Sequence, residues 1–94
     1  MMKLVVVEVS LSDDNLAQAV QTLQEQSGGV RAMDGCISYA IYDDGAKLAI
    51  VQRWQTADHF DAYRRSDLFA RLGATLKPLM TSPPVTTTAL VDHP

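Results

Sequence analysis

The sequence predicts a single α+β domain with the element order βαββαβ. Three observations carry this prediction: a Val-rich opening segment, a hairpin pattern around an Asp-Gly pair, and side chains at helical spacing between and after the strands. The chain has 94 residues and 47% hydrophobic content, which is enough for one modest core. We therefore expect residues 1–94 to form one domain.

The first predicted strand runs from Lys3 to Ser10, and its valines suit a pleated surface. Because side chains alternate along a strand, Leu4 and Val6 lie on one face and the odd-numbered valines on the other. Both faces of this strand are therefore expected to be buried.

The first predicted helix begins with a Ser-Asp-Asp sequence, which supplies capping oxygens and negative charge near the positive end of the helix dipole. Side chains at one helical face follow at spacings of four, three, four and three: Leu16, Val20, Leu23, Ser27 and Val30. Gly28 and Gly29 each disfavour helix by about 1 kcal/mol relative to alanine. We expect helix from about Asp13 to Ser27, or to Ala32 if the glycines are tolerated.

Two further strands are predicted, Cys36 to Tyr42 and Lys47 to Trp54. The intervening Asp43-Asp44-Gly45-Ala46 contains an Asp-Gly pair, which suits a hairpin turn, so these strands should be antiparallel neighbours. Simple alternation places Cys36 on the face opposite Tyr39.

The remaining elements are a broken helical region and a final strand. Thr56 can cap a helix beginning at Ala57, and Ser66 marks a second helix start. The helical region is expected to end near Pro78. A threonine-rich segment from Val85 to Val91 then favours a strand.

These elements predict a ferredoxin-like fold. Right-handed crossovers place the first and third strands in the centre of a four-stranded antiparallel sheet with helices on one face. Such a sheet needs only one apolar face if its other face meets water, yet both faces here carry apolar residues. We therefore expect a homodimer in which two copies pack their open sheet faces together.

Composition excludes several functional classes. The net charge of −3 argues against a nucleic-acid surface, and no apolar run is long enough to predict a membrane span. The opening segment reads as a strand rather than a signal peptide, and the single Cys36 cannot form an internal disulfide, so we expect a cytoplasmic protein. No His or Cys spacing predicts a metal site.

Several segments of the chain resemble the antibiotic biosynthesis monooxygenase family of the dimeric α/β-barrel superfamily. The resemblance spans nearly the whole chain and rests on the Val-rich first strand, Asp34-Gly35-Cys36-Ile37-Ser38-Tyr39, Arg53-Trp54-Gln55-Thr56, and Phe60 through Ser66 to Phe69. It implies a dimeric α/β barrel. It also implies oxygenation of an aromatic, quinol-like or polyketide small molecule by molecular oxygen, with no metal, flavin or haem cofactor.

The chain departs from this family pattern at one important position. Many relatives have a His three residues before the Ser that begins the last helix, and Tyr63 stands there in this chain. Haem-degrading relatives use an Asn, Trp and His set, whose helical positions correspond to Tyr63 and Gly73, and the first strand has no Asn. Haem degradation is therefore disfavoured.

Six residues are candidates for a site. The catalytic candidates are Tyr63 and His59, and the substrate-binding candidates are Trp54, Tyr39, Phe60 and Phe69. Tyr63 could orient a phenolic substrate with its hydroxyl, although packing against Phe60 explains it equally well. Trp54 also suits a core anchor. His59 is the conventional base within the body of the chain, but a surface position suits it too.

Three functional hypotheses follow. The first is a cofactor-independent monooxygenase, which the family resemblance favours. The second is a non-catalytic dimeric module that binds a small molecule, which the replacement of the family His by Tyr63 favours. The third is an isomerase or other proton-transfer enzyme that uses His59.

Overall fold

The computed structural model describes residues 1–45 and 47–92, so Ala46 of the predicted hairpin turn lies outside the described residues. The elements are β1 Met2–Ser10, α1 Asp13–Arg31, β2 Cys36–Asp43, β3 Lys47–Trp54, α2 Ala57–Arg64, α3 Asp67–Leu76 and β4 Val85–Val91. A single 3-10 turn, Lys77–Leu79, follows α3. The predicted order is confirmed, including the break in the second helical region.

The four strands form one antiparallel sheet in the order β2-β3-β1-β4. β1 and β3 are central, as predicted, and their register pairs Val5 with Gln52 and Val7 with Ile50. On its other side β1 pairs with β4, where Val5 lies opposite Thr88. The helices pack on one face of this sheet, and the ferredoxin-like α+β fold is therefore confirmed.

A β-bulge near the start of β2 changes one predicted face. Cys36 pairs with Trp54 but Ser38 pairs with the residue just before Trp54, so Ile37 is the extra residue of the bulge. Cys36 therefore lies on the same side of the sheet as Trp54 and packs against the core. The prediction that Cys36 and Tyr39 lie on opposite faces of the sheet was wrong, because simple alternation does not anticipate an inserted residue.

α1 continues through its two glycines to Arg31. Gly29 faces α3 so closely that a Cβ there would lie 3.2 Å from a methyl carbon of Leu68, and Val30 beside it is fully buried. Tertiary packing of this last turn therefore offsets the intrinsic cost of the glycines. Within the described residues, no helix combines the length and apolar character needed to span a membrane.

Side-chain caps begin both helices of the broken region. The Thr56 hydroxyl accepts a hydrogen bond from the His59 backbone N–H at 3.2 Å, and the Ser66 hydroxyl accepts one from Phe69 N–H at 3.2 Å. Each cap satisfies an amide that the helix cannot pair internally. The Ser66 hydroxyl also donates to the Tyr63 carbonyl oxygen at 2.6 Å, so it bonds both the end of α2 and the start of α3.

The sheet face that points away from the helices is also apolar. The register aligns Ala40, Val51 and Val6 in one row across β2, β3 and β1, and each is half-buried in the single chain. Nearby Tyr42 is 60% exposed. An apolar, partly exposed sheet face of this kind is typical of a surface that packs against another sheet.

Candidate functional site

A cavity of about 830 Å³ lies over the helix-facing side of the sheet, next to α3. Its walls come from all four strands, α2, α3 and the 3-10 turn, together with the connecting segment 80–84. The lining is mainly apolar and includes Val7, Ile50, Leu72 and Leu76. Its volume lies in the range of small-molecule binding sites.

Tyr63 is the centre of an aromatic cluster at one side of the cavity. Its ring stacks on Trp54, with centroids 5.1 Å apart and an interplanar angle of 23°, and forms a T-shaped pair with Phe69, with centroids 5.2 Å apart. Phe60 lies 6.3 Å from Trp54 and 6.4 Å from Tyr63. Because Phe60 and Tyr63 are three residues apart on α2, one face of the helix brings both rings to the sheet.

The structure brings most of the sequence-predicted site residues together. Tyr39, Phe60, Tyr63 and Phe69 all line the cavity. Trp54 is fully buried behind Tyr63 and is not among the described lining residues. Trp54 therefore supports the wall from behind.

Gln52 also lines the cavity, although no sequence motif singled it out. Its side chain is only 3% exposed, and its Oε1 accepts a hydrogen bond from the Trp54 indole Nε1–H at 3.0 Å. An indole can only donate, so this bond fixes which end of the amide is oxygen. The signal that could have found it was a lone polar residue on a strand face that otherwise carries Leu48, Ile50 and Trp54.

The two lining tyrosines retain their protons at neutral pH. Burial raises the pKa of Tyr39 far above its usual range, and the neighbouring Tyr63 raises it further. Burial likewise raises the pKa of Tyr63, and hydrogen bonding with the Tyr39 side chain partly offsets that increase. Both groups are therefore neutral phenols. The Tyr39 hydroxyl donates to Tyr63, which leaves the Tyr63 O–H able to donate to an oxygen of a bound molecule.

Arg31 holds the backbone that carries Tyr39. Its Nε and Nη2 donate to the Tyr39 carbonyl oxygen at 3.0 and 2.8 Å, while Nη1 donates to the Ser27 hydroxyl at 3.1 Å. β2 is an edge strand, so its outward carbonyl groups need partners from outside the sheet. The guanidinium supplies one and connects the last turn of α1 to the strand position that presents Tyr39.

His59 lies where α2 meets the entry to β2. Its Nδ1 is 2.7 Å from the Thr56 hydroxyl, and its Nε2 is 3.6 Å from an Asp34 carboxylate oxygen. Gly35 has a φ of +81°, and a Cβ on it would overlap the His59 ring. His59 is not among the described residues that line the cavity, and its contacts join the chain before β2 to the start of α2.

Among residues 1–45 and 47–92, Cys36 and the acidic residues form no metal-binding group. Burial raises the pKa of the Cys36 thiol, with a smaller opposing effect of Arg31, so the group is a protonated thiol packed against the core. In the part of the chain that the structure describes, no three His, Cys, Asp or Glu side chains come together.

The family assignment agrees with this architecture. The family described as antibiotic biosynthesis monooxygenase matches residues 2–74. The chain belongs to this family. The match covers β1 through most of α3, and therefore includes the aromatic cluster and the wall containing Gln52. No curated protein sequence matches the chain.

Solved structures extend the similarity over nearly the whole chain. Rv0793 from Mycobacterium tuberculosis is 25% identical with a TM-score of 0.90, and the match covers 99% of this chain and 98% of that one. A protein described as antibiotic biosynthesis monooxygenase is 14% identical with a TM-score of 0.87, covering 97% and 98%. A conserved protein from Methanosarcina mazei Go1 is 16% identical with a TM-score of 0.90, covering 95% and 91%. These similarities include β4, which lies beyond the family match.

Proposed function

We propose that this protein is a cofactor-independent monooxygenase that oxidises an aromatic, quinol-like or polyketide small molecule with molecular oxygen. The observation that carries the proposal is the apolar cavity whose wall presents Tyr39, Tyr63 and Gln52. Family membership supports the same reaction class. A cavity with few polar groups suits a substrate that supplies its own reducing electrons, because binding, orientation and exclusion of water are then the main requirements.

The proposed reaction converts an activated CH₂ group of an anthrone-type substrate into a carbonyl. The substrate loses a proton to give a delocalised phenolate-type anion, which transfers one electron to O₂. The carbon radical and superoxide combine to a peroxide, and loss of water leaves the carbonyl. One oxygen atom enters the product, the other enters water, and all four electrons come from the substrate.

Each residue of the site has its own proposed role. The Tyr63 hydroxyl donates a hydrogen bond to the substrate oxygen and stabilises the anion, and Tyr39 positions Tyr63 through the hydrogen bond between their hydroxyl groups. Phe60 and Phe69 hold the aromatic rings, and Trp54 fixes Tyr63 by stacking. No carboxylate or imidazole belongs to the described cavity lining, so the substrate's proton leaves to water at the opening.

Oxygen uptake with a panel of anthrones and hydroquinones, in the presence of a metal chelator, tests this proposal. We expect consumption of O₂ and, with ¹⁸O₂, one labelled oxygen atom in the product. Tyr63→Phe should lower kcat, because the hydroxyl acts on the developing anion, whereas Tyr42→Phe alters an exposed tyrosine and should leave kcat unchanged. Equal rates in both variants would remove the Tyr63 hydroxyl from the mechanism.

A non-catalytic small-molecule-binding module is the second candidate. It is favoured by Tyr63 at the place where many relatives have His, and by the absence of a conventional base from the described lining. Ligand-induced thermal shifts without oxygen uptake across the panel would support it. Loss of an isomerase activity in His59→Ala would instead support the proton-transfer alternative, which the position of His59 outside the described cavity wall disfavours.

A homodimer through the open sheet face is part of the proposal. The half-buried row of Ala40, Val51 and Val6 would be covered by the same row of a second copy related by a two-fold axis. Multi-angle light scattering should then give about twice the 10.3 kDa chain mass. The variant Val51→Lys would place a charge from each copy in that interface. For the unaltered chain, a monomer mass at micromolar concentration would contradict the dimer.

A further inference from the structure

The charged residues of the cavity lining are all basic. Arg64 and Lys77 belong to the lining, whereas none of the 11 acidic residues of the chain is among the described lining residues. The chain as a whole has a net charge of −3, so this imbalance runs against its overall composition. Both basic residues are exposed, which places them at the rim of the cavity.

Arg64 is oriented by its neighbours and remains free to bind an anion. Its guanidinium lies over the Phe60 ring, 5.9 Å from the ring centroid, on the helix that supplies the aromatic wall. No acidic side chain pairs with it among residues 1–45 and 47–92. A planar guanidinium of this kind can bind both oxygens of a carboxylate at once.

Gln52 provides the second polar contact at the buried end of the cavity. Its Oε1 is used by Trp54, so its Nε2 must be the remaining polar atom of the amide. No acceptor for that nitrogen occurs among the described residues, although the side chain is almost completely buried. Gln52 Nε2 is not one of the buried polar atoms that lack a partner, so it is open to the cavity, where its N–H groups can donate to a ligand oxygen.

We propose that the cavity selects aromatic carboxylic acids that also carry a phenol or quinone oxygen. The ring oxygen accepts from Gln52 Nε2, the apolar walls hold the fused rings, and the carboxylate lies at the rim with Arg64 and Lys77. This inference rests on the proposed function, since it names the substrate class of the same cavity.

Calorimetric titration with a matched ligand pair tests the inference without turnover. The probes are a dihydroxyanthraquinone carboxylic acid and its methyl ester, which share the rings and ring oxygens and differ in charge. We expect the acid to bind about tenfold more tightly at low salt, with much of the difference lost at high salt because rim charges are screened. Equal affinities for acid and ester would overturn the inference.

Three variants assign the effect to residues. Arg64→Gln and Lys77→Gln should each weaken binding of the acid about threefold and leave the ester unchanged. Arg65→Gln is the matched control, because it removes the same charge from the neighbouring exposed position, which is outside the described lining. Equal losses in Arg64→Gln and Arg65→Gln would contradict a rim site and indicate a general effect of net charge.

The variant Gln52→Glu tests binding of the ring oxygen separately from binding of the carboxylate. Glutamate retains an acceptor for the Trp54 indole but replaces the free amide nitrogen with an oxygen, so acid and ester should both bind more weakly. Unchanged ester binding in a variant that folds, as judged by circular dichroism, would remove Gln52 from the site. Acid selectivity without oxygen uptake would disprove the monooxygenase proposal alone, whereas oxygen uptake without acid selectivity would disprove this inference alone.

Discussion

The helix-facing side of the sheet has two halves that differ in how they are filled. In the covered half, at the two ends of β3, Leu48 and Trp54 are at most 1% exposed and lie outside the described cavity lining. In the cavity half, formed by β4 and segment 80–84, β4 residues from Val85 to Leu90 are exposed and Thr86 faces the cavity. One sheet thus provides both the stability of the fold and an opening for a ligand. Changes in the covered half should alter stability first, and changes in the cavity half should alter binding first.

Removal of Trp54 should have the largest effect on the covered half. Trp54→Ala leaves a large void beside Tyr63 and removes the indole partner of Gln52, so we expect a loss of about 3 to 5 kcal/mol in the free energy of unfolding. Guanidinium-induced unfolding measures this loss. Arg53→Ala, at the adjacent exposed position, should change the same quantity by no more than about 0.5 kcal/mol. A small loss for Trp54→Ala would mean that the covered half is not tightly packed.

Two glycines with positive φ provide the next test. Gly35→Ala combines an unfavourable backbone conformation with overlap on His59, and should cost about 1 to 3 kcal/mol. Gly45 has a φ of +90° but open space around it, so Gly45→Ala should be the milder change. Thermal unfolding of both variants gives the difference. In a His59→Gly background, which also removes the His59 Cβ that would lie 2.6 Å from the new methyl carbon, the Gly35 effect should shrink toward that of Gly45, and an undiminished effect would exclude the steric contribution.

The buried phenols predict a loss of stability at alkaline pH. The pKa values of Tyr39 and Tyr63 are raised above their ordinary value of 10.0, so the folded state keeps protons that the unfolded chain releases. Their contribution is complete below pH 10 and is lost as the pH rises toward the folded pKa values. Denaturant unfolding between pH 8 and about 11 should show this decline. Tyr39→Phe should reduce the slope, whereas Tyr42→Phe should preserve it.

The smallest expected change in stability concerns the cavity half, and it is a gain in stability rather than a loss. Gly73 lies in the middle of α3 and lines the cavity, and a Cβ added to it would meet no atom within 4 Å. Gly73→Ala should therefore stabilise the chain by about 0.5 to 1 kcal/mol while narrowing the cavity and weakening ligand binding. Gly28→Ala, also in helix with open space but outside the described lining, should give the stability gain alone. Weakened binding in both variants would contradict the separate roles of the two halves.

Local sequence patterns predicted the elements because those patterns are short-range. The bounds of β3 and β4 and the cap at Ser66 agree with the structure, since alternation, turn residues and capping hydroxyls act within a few residues. The extension of α1 to Arg31 could not be decided from local sequence, because it depends on Leu68 packing beside Gly29.

The cavity was harder to predict than the fold. The aromatic candidates on α2 and α3 were visible from helical spacing, but their separation from β4 depends on how the helices lie across the sheet. Gln52 became a site residue only through its bond to Trp54 and its place in the wall. Arg64 and Lys77 lie 13 positions apart in the sequence, and no sequence spacing indicates that they share a rim.

The stacking of Trp54 on Tyr63 has a practical consequence for studies of this molecule. Trp54 is the single tryptophan of the chain, it is shielded from solvent, and its stacking partner forms part of the cavity wall. Its fluorescence emission should therefore be blue-shifted in the native state and should change when a ring occupies the space beside Tyr63. The protein thus contains its own optical reporter of ligand occupancy.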